Sequence, residues 1–177
     1  MSGLLFLTAD DFSVIKNDDP SKNDIMINNI DNFSLILFYS THCQHCQNII
    51  PIMKQLPGTV TGCQFGMINV SKNKKTIRMS KNTITPLTYV PYIILYNNRR
   101  PYMRYDGNIN DITEIQSFVH DVANSILQQV QLQNEQGGNN NNNDHVSIPE
   151  YCIARPTKGG ENEHICYVNF SDAYYKQ

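Results

Sequence analysis

Hydrophobic positions fall into runs of two kinds, and their order sketches an architecture before any single residue is considered. Residues 34–39 (Ser-Leu-Ile-Leu-Phe-Tyr) are apolar without alternation, as expected of a strand buried on both faces of a sheet, which makes them the central strand. Residues 4–7, 65–70 and 92–96 are further short apolar runs read as strands, and 102–105 reads as an edge strand reached through the turn at 97–100. Helical spacing appears after the central strand, where Ile49, Ile50, Ile52 and Met53 cluster within residues 43–55, with Pro51 expected to kink that helix. Residues 74–81 read as a short basic helix. Residues 111–131 carry Ile112, Ile115, Phe118, Val119, Val122, Ile126 and Leu127 on one stripe suited to covering a sheet face. Residues 8–12 look like a helix cap and first turn, and the polar stretch 16–32 like a long loop or a loosely helical insertion. The resulting order, βα, βα, βα, ββα, is that of an α/β protein with a central mixed sheet flanked by helices.

The pattern stops at a compositional break. Residues 128–144 are rich in Gln and Asn, with Gly137-Gly138 and a run of asparagines, and cannot bury enough apolar surface to fix a fold. The chain is therefore divided into a domain at 1–131, a linker at 132–145 and a C-terminal extension at 146–177. The extension holds Cys152, Cys166, Tyr167, Phe170, Tyr174 and Tyr175. It is too apolar for a solvated tail and is expected to dock, on its own core or on a partner, including a second copy of the chain.

With 177 residues, 40% hydrophobic and 17% charged, the chain has room for one core plus appended segments. Its 14 Lys and Arg against 16 Asp and Glu leave −2, so nucleic acid and anionic membranes are not expected as partners. No stretch approaches the about 18 consecutive apolar residues of a membrane span. The N-terminus has no basic segment before its short apolar run, so a secretory signal is not expected and the reading is a reducing, cytoplasmic setting. There, the five cysteines need an explanation other than a disulfide framework.

Cys43-Gln44-His45-Cys46 supplies one, because it follows the buried strand and opens a helix. A Cys-x-x-Cys pair at a helix N-terminus brings two sulfurs together, while the first N–H groups and the helix dipole favour a thiolate on the first, more exposed cysteine. The second, more buried cysteine attacks later. A protonated His45 would favour the Cys43 thiolate further, and a more stable thiolate gives a more oxidising disulfide. The competing reading is a zinc site completed by Cys63, Cys152, Cys166 or a histidine, but a second Cys-x-x-Cys knuckle is missing, so no metal and no other cofactor is expected. Cys63 reads as a small buried residue opening a strand. Cys152 and Cys166 could pair with each other, stay reduced, or relay electrons to the Cys43 and Cys46 pair.

These residues resemble the thioredoxin superfamily over roughly residues 4–130. The match runs from Leu35 through Phe38-Tyr39-Ser40-Thr41-His42-Cys43-Gln44-His45-Cys46 to Pro51, and Val90-Pro91-Tyr92 is similar to the family's cis-proline segment. Tyr105-Asp106-Gly107 and His45 look more like protein disulfide isomerase domains than like bacterial thioredoxin. The resemblance implies a thioredoxin fold with a C-terminal extension and a cis Val90-Pro91 bond against the active-site sulfurs. It also implies that the Val90 backbone pairs with an extended substrate. Two departures stand out. His42 replaces the usual tryptophan, and Leu37 with Met67 occupy the places of a buried acid and its lysine, leaving Cys46 without the usual proton acceptor unless His42 or His45 serves. The ending Cys166 to Tyr174 is similar to tails on thioredoxin-like proteins of large DNA viruses, which would place the protein in a host cytoplasm or a virion.

The expected function is a thiol-disulfide oxidoreductase acting on protein thiols and disulfides. Cys43 and Cys46 are catalytic, His42 and His45 modulate them, and Val90 and Pro91 bind substrate. A partner reductase or oxidase would then exchange electrons with the pair. The alternative is a redox-slow binding module that uses the same scaffold to hold a protein partner.

Overall fold

A computed structural model describes residues 3–136 and 152–153. Six strands form one mixed sheet in the order β1-β5-β4-β6-β7-β8: β1 (Leu5–Phe6), β4 (Phe33–Tyr39), β5 (Cys63–Asn69), β6 (Tyr92–Asn97), β7 (Arg100–Tyr105) and β8 (Cys152–Ile153). A separate two-stranded ribbon consists of β2 (Phe12–Ile15) and β3 (Ile25–Asn28). Three helices complete the described structure: α1 (Gln44–Gln55), α2 (Lys74–Ser80) and α3 (Ile112–Gln136). β1 and β4 run parallel to β5, β6 runs antiparallel to β4 and β7, and β8 runs parallel to β7.

Strand β4 is central because its side chains are apolar in both directions. Ile36 and Phe38 enter one core with Phe12, Met26, Ile77, Tyr92 and Ile94. Leu35 and Leu37 enter the other with Ile49, Met53, Phe65, Ile115 and Val119. The period of two along a strand makes that division unavoidable. Helices α1 and α3 cover the second face. In α3 the buried positions Ile115, Val119 and Val122 fall at the spacing of one helical stripe, whereas Leu127, predicted on it, is 57% exposed.

The first face departs from the sequence reading. Thr8 does cap a turn, its N–H donating to Asp11 Oδ2 at 2.7 Å, but that turn is a three-residue 3-10 segment, Ala9–Asp11, and the chain then extends into β2. Much of the stretch read as a loop or loose helix is the returning strand β3, so a β-hairpin stands where the first helix of the βα order was expected. The hairpin is anchored by buried polar groups. Asn28 donates to Ser34 Oγ at 3.0 Å and accepts from the Ile30 N–H at 2.9 Å. Arg99, at φ 72° in the β6–β7 turn, donates to Asn28 O at 3.1 Å and to Asn29 Oδ1 at 3.0 Å. Positive φ at both Asn98 and Arg99 matches the turn geometry that suits a right-twisted two-residue hairpin.

Helix α1 ends at Gln55 with Pro51 inside it, the end read from the sequence, whereas two further boundaries differ: α3 continues past residue 131 to Gln136, and β7 is not an edge strand, because β8 pairs with it at Met103 and Arg104. β8, within the extension, pairs with the chain's own sheet; Cys166 and the tail tyrosines lie outside the described residues. At Gly107 a Cβ would meet the Glu114 carboxylate and the Tyr105 hydroxyl, so a larger residue there would push these side-chain ends aside.

Cys63 opens β5 and is 4% exposed, as the core reading expected. Burial pushes its thiol from 9.0 up to about 12, against a smaller opposing effect of a backbone hydrogen bond with Leu35. The folded thiol thus keeps its proton where an unfolded one loses it. Any stability this site contributes is complete below pH 9 and is lost as pH rises toward about 12. Cys63 is therefore expected to resist iodoacetamide at pH 8 in native protein and to react once urea unfolds it, as read by peptide mass spectrometry. Met26→Ala, which hollows the core beneath the hairpin at a fully buried position, should lower stability by about 2–5 kcal/mol in urea unfolding with an unchanged m-value.

Candidate functional site

Three chain segments meet at one edge of the sheet because of strand direction. Tyr39, the last residue of β4, lies opposite Asn69 at the end of parallel β5, and Phe38 lies opposite Tyr92 at the start of antiparallel β6. The turn after β4, the loop after β5 and the segment before β6 are therefore neighbours. They carry Cys43 and Cys46, Ser71, and Val90-Pro91 respectively.

Cys43 is the N-cap of α1, with φ −99° and ψ 119°, and its sulfur accepts from the Cys46 N–H at 3.4 Å. The same sulfur lies 3.7 Å from the Val90 carbonyl oxygen, to which its S–H donates. The Val90-Pro91 bond is cis. Cys46 sits one helical turn deeper, with its sulfur accepting from the Ser40 N–H at 3.5 Å. Both sulfurs are enclosed: Cys43 is 2% exposed and Cys46 0%. The exposure expected of Cys43 does not hold: its sulfur lies against the Val90 carbonyl, and it is buried like Cys46. Cys43, Cys46 and Cys63 are all thiols.

His42 is exposed and contributes its backbone, the N–H donating to Ser40 Oγ at 3.2 Å, while His45 is half-buried on the first turn of α1. No acidic residue occupies that first turn. Leu37 and Met67 lie directly opposite each other in the register of β4 and β5, inside the apolar cluster that also holds Ile49 and Met53. The place where the resemblance led one to look for an acid and a lysine is thus a hydrocarbon contact. Tyr39, just before the turn, has its phenol held above the ordinary value first by burial and then by repulsion from the Cys46 sulfur.

Two residues that sequence reasoning did not single out complete the site. Ser40 Oγ and Ser71 Oγ are 2.7 Å apart, linking the turn after β4 to the loop after β5. Their pairing depends on which loops the register makes adjacent, and two serines far apart in sequence give no local sign of it. Beside Val90, Tyr89 packs on Tyr92 with ring centroids 4.8 Å apart, and the Arg104 guanidinium lies 5.8 and 5.5 Å from the two rings.

The remaining candidates are not brought to this edge. Cys63 lies at the opposite end of β5. The backbone of Cys152 is opposite Met103, on the rung shared by Leu95 and Leu35, three strand spacings or about 14 Å across the sheet from β4. That register does not carry its backbone to the 40–46 turn. Among the described residues, no group of three or more His, Cys, Asp or Glu is arranged to hold a metal ion, and no helix is long and apolar enough to cross a membrane.

The sequence profile of the thioredoxin family matches residues 14–121. Protein 196R of Invertebrate iridescent virus 6 is 32% identical over 180 residues, covering 98% of this chain and 95% of that protein. Protein 020R of Invertebrate iridescent virus 3 is 29% identical, covering 97% and 96% respectively. Both are relatives from large DNA viruses, in keeping with the likeness of the C-terminal tail, and both carry names that state no activity. Among solved structures, the Trx4 domain of ERdj5 superposes with a TM-score of 0.50 at 14% identity, over 71% of this chain and 99% of that domain, which is a likeness of fold. A profile match over more than half of the chain, on a mixed sheet with a cysteine pair at the N-terminus of its first helix, places this protein in the thioredoxin family.

Proposed function

We propose that the protein is a thiol-disulfide oxidoreductase acting on protein disulfides, with Cys43 as nucleophile and Cys46 as the resolving thiol. The observation that carries this reading is the position of Cys43 at a helix N-cap, its sulfur accepting the Cys46 N–H, directly against the backbone carbonyl of Val90. A sulfur there gains from the N–H groups and dipole of α1 when it ionises. An extended substrate pairing with the Val90 backbone would align its disulfide with that sulfur by strand addition.

In the proposed cycle the Cys43 thiolate attacks one sulfur of the substrate disulfide. The substrate S–S bond breaks, a mixed disulfide forms, and the released substrate sulfur takes a proton. Cys46, having lost its own proton, then attacks the Cys43 sulfur. The Cys43–substrate bond breaks, Cys43–Cys46 forms, and the second substrate sulfur leaves as a thiolate and is protonated. Two electrons pass to the substrate, and the enzyme dithiol becomes a disulfide. A partner reductase would supply the two electrons and two protons that return the Cys43–Cys46 disulfide to the dithiol.

The hydrocarbon contact between Leu37 and Met67 supplies no acid to accept the Cys46 proton. Together with the 2% exposure of Cys43, it favours one second reading, a redox-slow module that holds a protein partner beside Val90. Insulin reduction driven by a chemical dithiol separates the two: turnover supports the oxidoreductase, and negligible turnover with thiol-independent partner binding supports the module.

Cys43→Ser should abolish turnover, and Cys46→Ser should accumulate a mixed disulfide visible by mass spectrometry; full activity of the Cys43→Ser variant would end the proposal. The reduction potential is expected above the about −270 mV of thioredoxin, toward the about −180 mV of protein disulfide isomerase, given His45 on the first helical turn. Equilibration against glutathione redox buffers measures it, and a value below thioredoxin's contradicts the expectation.

A further inference from the structure

We infer that Ser40 is a positioning residue for Cys46, and that its hydroxyl pair with Ser71 is what makes it one. This deepens the oxidoreductase reading and rests on it. Ser40 is 1% exposed, and its polar atoms are engaged on both sides of the cysteine pair. Its N–H donates to Cys46 Sγ at 3.5 Å, its carbonyl accepts from the Cys43 N–H at 3.3 Å, and its hydroxyl oxygen accepts from the His42 N–H at 3.2 Å. The hydroxyl also meets Ser71 Oγ at 2.7 Å, the contact that leaves the turn and reaches another element.

Ser71 is itself held in place. Its N–H donates to Asn69 Oδ1 at 3.0 Å, and Asn69 closes β5 in register with Tyr39. The neighbouring Val70 N–H donates to the Tyr39 carbonyl at 2.9 Å. The Ser40 N–H shares a planar peptide unit with the Tyr39 carbonyl, so the Val70 bond references it to the sheet, and the two hydroxyls brace the turn that follows. A buried hydroxyl is costly unless it is hydrogen-bonded, and this pair satisfies both while tying the two loops together.

The consequence falls on the second half of the cycle. An N–H aimed at a sulfur stabilises its thiolate, and that benefit falls steeply when the donor is misaligned. Leu37 and Met67 give the buried side of the helix no charged group to serve instead. Ser40 and Ser71 therefore act on the step in which the Cys46 thiolate attacks Cys43, the Cys43–substrate bond breaks, and the substrate sulfur departs and is protonated.

The test is single-turnover reduction of a disulfide-linked peptide by the pre-reduced full chain, acid-quenched at intervals and read by mass spectrometry. The two observables are formation and decay of the mixed disulfide. Ser40→Ala should slow the decay about fivefold, the effect of losing one hydrogen bond, with a smaller change in formation. Ser71→Ala, at a half-buried position in the loop after β5 and outside the cysteine turn, should slow the decay similarly. The double variant should add little more, and Ser40→Thr, which keeps the hydroxyl, should restore it. Unchanged decay in both single variants, or equal slowing of formation and decay, overturns the inference. A wild-type chain that forms no mixed disulfide overturns it together with the oxidoreductase reading, whereas normal formation with decay indifferent to positions 40 and 71 removes this inference alone.

Discussion

Strand β4 must be buried on both faces, and the rest of the molecule is arranged around that requirement. Leu35, Ile36, Leu37 and Phe38 are all fully buried, so the strand needs a covering layer on each side and a hydrogen-bonded neighbour along each edge. Parallel β5 supplies one edge and antiparallel β6 the other. With those directions fixed, the end of β4, the end of β5 and the start of β6 fall at one edge of the sheet. Open α/β sheets collect ligand sites at the carboxyl ends of their strands for the same geometric reason. The contact between Cys43 and Val90, 47 residues apart in the chain, follows from strand direction and register.

The covering layers differ in kind. Helices α1 and α3 cover one face, while the β2–β3 hairpin and α2 take part in covering the other. The hairpin face holds both site cysteines, so the hairpin's Phe12 and Met26 share a core with Cys43 and Cys46. The apolar rung of Leu37 and Met67 backs the pair from the opposite face. Beside Cys46, the Ser40 N–H donates to its sulfur, and the Ser40 hydroxyl meets Ser71 Oγ.

Several elements were legible because they depend on local pattern alone. The two-sided burial of β4 shows as an unbroken apolar run, α3 as a stripe at helical spacing, and the β6–β7 hairpin as two apolar runs around Asn98-Arg99. The cysteine pair was legible for the same reason, being a motif four residues long in a strand-to-helix context. The β2–β3 hairpin was not. Its connecting residues 16–24 are polar, and its two strands pair Phe12–Ile15 with Ile25–Asn28 and are gripped by Arg99 at Asn28 and Asn29. The apolar runs at 12–15 and 25–27 were the local signal, obscured by the polar stretch around them, whereas the grip of Arg99 has none because it joins residues about 70 apart. The two residues of β8 likewise form a strand because β7 offers a free edge.

The sequence by itself determined which residue types stand where: two cysteines one helical turn apart, a proline before a buried strand, and apolar residues where an acid and a lysine were sought. It could do so because residue type and short spacing are properties of the chain. Only the tertiary structure decided how accessible Cys43 is and which backbone groups touch each sulfur. It also decided that Ser40 and Ser71 form a pair. Those properties arise from segments distant in sequence that meet once the sheet has chosen its register, and burial and hydrogen-bond partners exist only after they do.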